Sequence, residues 1–114
     1  MVLSPRRVVQ PDVLFIARER LSIISEVING PADLVAEVIS PESRRRDRID
    51  KRDLYEQHGV REYWLLDPEA QTVEVFHLTD GQYRLLGRWR PGETAVSRLL
   101  EGFSVSVAEL FTVV

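Results

Sequence analysis

Apolar positions along this chain come in short blocks, and the period changes from block to block. PDVLFIA (11–17), opened by Pro11 and Asp12, is rich in β-branched and apolar residues and predicts a strand. Residues 18–32, RERLSIISEVINGPA, fit either a helical turn or short extended pieces before the Asn29-Gly30-Pro31 breaker. DLVAEVIS (33–40) is almost continuously apolar up to Pro41, the pattern of a strand buried on both faces. From 44 to 58 the period lengthens to that of a helix, with Ser43 or Asp47 as candidate caps and Gly59 as a left-handed stop. REYWLLD (61–67), TVEVFHL (72–78) and QYRLLGRW (82–89) predict three more strands, the last two a hairpin turned at Asp80-Gly81. The tail predicts a short strand over 103–107 and a helical turn over 108–111. With no internal repeat, linker or low-complexity segment, 114 residues predict one α+β domain, residues 1–114.

Within that pattern one residue is out of place. Glu37 is an acid in the middle of a strand that reads as buried, and an unpaired carboxylate there is very costly. It needs a partner or a metal. On the helix, Asp47, Lys51, Leu54, Tyr55 and His58 fall within about 60° of one direction at about 100° per residue, and Ile49 points the other way. Lys51 is the single lysine of the chain, among 15 Lys plus Arg in total. An ammonium is a compact point charge whose pKa moves readily on partial burial, whereas a guanidinium cannot act as a base. If Lys51 projects toward Glu37, its exception to the arginine rule has a chemical reason.

Composition narrows the chemistry. A hydrophobic content of 44% with 29% charged residues is that of a folded protein, and the N-terminus lacks the apolar region of a secretory signal, so a cytoplasmic location is expected. Zero cysteines and two histidines, His58 and His77, exclude disulfides and thiolate metal sites and leave too few ligands for a typical structural zinc. Any metal here is held by oxygen. Asp12 and Glu37, if their strands are neighbours, make a pair of hard ligands suited to Mg²⁺ or Mn²⁺ and a substrate phosphate. A net charge of -3 argues against non-specific coating of nucleic acid, although RRRDRIDKR (44–52) forms a basic patch, in its plainer reading a solvated helix face. His77, Trp64 and Trp89 read as structural, and His58 as a residue facing the helix C-terminus.

The stretch PDVLF…GPADLVAEVISPESRRRDRIDKRDLYEQHGVREYWLLDPEAQTVEVFHL, with the tail GFSVSVAELF, resembles the Uma-two (Uma2) family of restriction endonuclease-like proteins in the PD-(D/E)XK nuclease superfamily. The specific part is EVISPESRRRDRIDKRDLYEQHGV. The resemblance implies a restriction endonuclease-like mixed sheet with a helix after the central strand, and a Mg²⁺- or Mn²⁺-dependent endonuclease acting on DNA. Asp12 then matches the PD acid and Glu37 the second acid. The Val38 carbonyl completes the metal ligands, and Lys51 replaces the lysine missing at Ile39. Asp47 and Tyr55 would orient Lys51, and Arg44, Arg45, Arg46 and Arg48 would contact phosphates. The family carries a longer N-terminal part than the ten residues before Pro11. That difference implies a shortened sheet, in a fragment of a longer protein or with a homodimer or a partner supplying the missing elements, and it leaves open a second reading: a nuclease-like module without catalysis.

Overall fold

The computed structural model describes residues 1–42 and 45–113, the side chains of Arg46, Asp47 and Val113 excepted. Its centre is a five-stranded mixed sheet in the order β3-β4-β5-β6-β7, built from β3 (Val13–Phe15), β4 (Leu34–Val38), β5 (Glu62–Asp67), β6 (Thr72–Thr79) and β7 (Gln82–Trp89). Only β4 and β5 run parallel, in register Leu34↔Glu62 through Val38↔Leu66. A parallel neighbour needs a crossover, and α1 (Arg45–Gln57) supplies it. The other pairings are antiparallel, and β6 and β7 meet in a two-residue Asp80-Gly81 turn with both residues at positive φ.

Alternation along the strands makes two cores. Val35, Tyr63 and Phe76 face α1 and pack with Tyr55, Val60 and Tyr83. Leu34, Trp64, Leu66, Val73 and Val75 face the opposite way, against Ala95 and Val107. That second face is covered by β8 (Thr94–Val96), β9 (Ser104–Ser106) and α2 (Val107–Val113). The chain begins with a two-stranded hairpin, β1 (Val2–Ser4) with β2 (Arg7–Val8), and the ambiguous segment contains a 3₁₀ helix, Arg18–Ile23, followed by an Ile24↔Ile28 bridge. Both of its sequence readings are thus partly realised. The β1–β2 hairpin and β8 had no strong sequence signal: the strands are two or three residues long.

The end of α1 fixes where the helix meets β5. Gly59, at φ 79°, lets Val60 N–H donate to the Tyr55 carbonyl and Gly59 N–H to the Glu56 carbonyl, a Schellman closure that buries Val60 against Tyr55. At the other end Asp47 lies inside the helix and does not cap it, because helical backbone already starts at Arg45. Ser43 lies outside the described residues. Among the described residues no helix is long and apolar enough to cross a membrane.

Candidate active site

Asp12 and Glu37 come together because β3 and β4 pair antiparallel with Val13 opposite Ala36, so one further step sets Asp12 beside Glu37. Asp12 Oδ2 accepts a 2.7 Å hydrogen bond from the Val38 amide, which ties the acid to the end of β4. Glu37 shares the α1-facing side of β4 with Val35 and is only 5% exposed. A carboxylate buried to that degree requires compensation, and α1 delivers it from two successive turns. Lys51 Nζ lies 2.7 Å from Glu37 Oε2, and Tyr55 Oη donates to Oε1 at 3.1 Å. The i, i+4 spacing of the two residues puts both on the helix face that meets the sheet.

Burial, reinforced by the negative charge of Glu37, pushes the Tyr55 phenol far above its ordinary range. It is therefore a fixed proton donor to Glu37. This changes one expectation: Tyr55 touches the carboxylate and orients Glu37, rather than orienting Lys51. The side chain of Asp47, its expected companion, lies outside the described residues.

Asp12, Glu37, Val38, Ser40 and Lys51 open onto a cleft of about 440 Å³, which Arg48 and Tyr63 close on the α1 and β5 side. Ile39, which takes the position of the missing lysine, lines the same cleft and donates its amide to the Leu66 carbonyl. Lys51, entering from the helix, is 47% exposed at its side chain while its partner is 7% exposed, so one end of the pair is dry and the other reaches the opening. Of the four arginines expected to meet phosphate, Arg45 and Arg48 line a second hollow beside the cleft. Arg44 and the side chain of Arg46 lie outside the described residues.

The oxygen ligands present fit a divalent ion in kind. Among the described residues each oxygen of Glu37 accepts one hydrogen bond, which leaves it a second lone-pair site, and Asp12 accepts through Oδ2. Among the described residues no group of three or more His, Asp or Glu gathers elsewhere as an alternative. Two carboxylates and a carbonyl would leave half of an octahedral shell to water and substrate, an arrangement that suits Mg²⁺.

Two buried acids escaped the sequence reading. Glu62, fully buried at the start of β5, accepts hydrogen bonds from Ser97 Oγ (2.6 Å), Trp64 Nε1 (2.8 Å) and the amides of Arg98 and Leu99 (both 2.9 Å). Burial alone would raise its carboxyl, but these four donors outweigh it and hold the group below the usual carboxylate range. Asp33, 2% exposed, pairs with Arg20 at 3.1 Å and accepts the Ala17 amide at 2.7 Å. Three of the Glu62 partners lie 35 to 37 residues away, so no local pattern announces them. Both acids bind the fold together at the end of β4 and β5 remote from the cleft.

A family model described as "Putative restriction endonuclease", Uma2, matches residues 1–108. The chain belongs to the Uma2 family. The match begins ahead of Pro11 and so takes in the β1–β2 hairpin. Among solved structures, the chain is similar to a crystal structure from Anabaena variabilis ATCC 29413 titled a "putative nuclease belonging to DUF820", with TM-score 0.62 and 22% identity. The alignment covers 78% of this chain and 49% of that one, so this chain spans about half the length of that Uma2-like relative. The fold is restriction endonuclease-like. No curated protein matches the chain.

Proposed function

We propose that this Uma2 protein is a metal-dependent endonuclease that hydrolyses DNA phosphodiester bonds. The observation that carries the reading is Glu37: a buried carboxylate at a cleft wall, beside Asp12, held by a lysine and a tyrosine from one helix face. A purely structural acid would be expected deep in the fold like Glu62, away from any opening.

In this reading Asp12, Glu37 and the Val38 carbonyl hold Mg²⁺ or Mn²⁺, which supplies Lewis acidity toward a phosphate oxygen. The chain's own groups do the rest. Tyr55 fixes Glu37 in rotation by donating to Oε1. Lys51, at the mouth of the cleft, holds the attacking water and neutralises charge that builds on the phosphate as the water oxygen bonds to phosphorus and the ester oxygen leaves. The basic start of α1 adds phosphate contacts that give affinity without sequence information.

One observation favours a second reading, a nuclease-like module that acts by contact alone. Lys51 already neutralises Glu37 at 2.7 Å, so the buried acid is satisfied without a metal. Melting with and without Mn²⁺ separates the two. The catalytic reading expects a rise in the wild type that is absent in Glu37→Gln, together with Mn²⁺-dependent nicking of plasmid DNA by the wild type alone. No Mn²⁺-dependent rise in either protein, with intact plasmid, would favour the contact module.

A further inference from the structure

The cleft does not end at Lys51. Arg48, Tyr63 and Leu65 line it on one side and on the other line a second hollow of about 350 Å³ between α1 and the sheet. That hollow is bordered by Arg45 and Arg52 of α1 and by Glu74 and Phe76 of β6. The Arg52 guanidinium lies over the Phe76 ring, 4.5 Å from its centroid, and so is already engaged. Arg48 is different. Its Nε is buried and has no hydrogen-bond partner among the described residues. Leaving a buried charged donor unmade costs more than an ordinary missing hydrogen bond, so an acceptor is expected to arrive from outside.

Size and lining restrict what arrives. At about 350 Å³ the second hollow is on the scale of a small-ligand site, roughly 300–1,000 Å³, and too small to take both strands of a duplex. A single phosphate with its unpaired nucleotide can enter. Arginines at the rim suit the phosphates of a strand, over a floor formed by the buried Tyr63 and Phe76. The acid in the hollow, Glu74, stands opposite Arg88 of β7 in the cross-strand register, which limits its repulsion of a phosphate.

We infer that Arg48 and the hollow beyond it form a subsite for the phosphate and unpaired nucleotide next to the scissile bond, so that the protein takes single-stranded nucleic acid in preference to duplex. The inference rests on the reading of the Asp12–Glu37 cleft as a phosphodiester site. Arg48 positions the strand and takes no part in bond cleavage.

The test is binding of a fluorescein-labelled 12-nucleotide single strand, and of the same strand in a blunt duplex, by anisotropy in EDTA. The wild type should bind the single strand at least tenfold more tightly than the duplex. Arg48→Ala should lose about tenfold for the single strand only, and Arg48→Lys should recover part of it. Equal binding of strand and duplex, or an Arg48→Ala protein that folds and binds the strand like wild type, overturns the subsite. An unfolded Arg48→Ala, seen by circular dichroism, shifts the decision to Arg48→Lys, where undiminished single-strand binding overturns it. Failure of the cleavage proposal reads differently: the wild type would bind the strand with its Arg48 dependence intact and leave every substrate uncut in Mn²⁺.

Discussion

At the scale of single residues, the lone lysine is explained by where its ammonium sits. It meets a carboxylate that is almost dry, and a guanidinium at the same helical position would have to fit a wider planar fork against Glu37 and the cleft wall. Lys51→Arg is therefore expected to retain the fold and Mn²⁺ stabilisation but to reduce cleavage at least a hundredfold. A cleavage rate within tenfold of wild type would show that only the charge matters. Tyr55→Phe removes one donor to Glu37 from a closely packed position and is expected to cost about 1–2 kcal/mol in urea unfolding. Cleavage should fall about tenfold in the same variant. Glu37, Lys51 and the Asp12 partner were legible in the sequence because an acid in an apolar strand and a single lysine both violate the local pattern. The Tyr55 bond was not: helical phase places the ring toward the sheet, but not which of two neighbours it meets.

Elements show where reading by pattern stops. The hairpin at Asp80-Gly81, the stop at Gly59 and the strands from β4 to β7 are carried by local chemistry, and all lie close to their expected places. The short strands β1, β2 and β8 have too few residues for a period to emerge, and the Glu62 clasp joins β5 to the segment after β8 across more than thirty residues. Because the folded Glu62 carboxyl lies below its unfolded value near 4.5, its contribution is complete above that value and disappears as pH falls through the lower folded one. Glu62→Gln replaces an acceptor oxygen with a donor against amides and should cost about 2–4 kcal/mol at pH 7. The gap between variant and wild type should narrow as urea unfolding is repeated from pH 7 down to pH 3. A gap constant with pH would mean that the charge of Glu62 contributes nothing.

For the whole molecule, the sheet presents β3 as an edge, with Val13 and Phe15 exposed and Phe103 close to the same apolar surface. Unpaired strand edges invite another strand, and we propose that a second copy of the chain adds to β3. Light scattering is expected to give a mass that rises from monomer toward dimer between micromolar and hundred-micromolar protein. Pro in place of Leu14 should abolish that rise, while a mass independent of concentration would remove the dimer. The same edge bears on how the candidate site fails. Glu37, Lys51 and Tyr55 are carried by the β4–α1 unit, but Asp12 is brought in by a strand of three residues. The Val38 amide, bonded to Asp12 instead of to a neighbouring strand, reports on that attachment. In deuterated buffer its proton should be replaced sooner than those in the middle of β5. On warming, the site should come apart by fraying of one edge while the sheet behind it still holds, so that inactivation precedes melting.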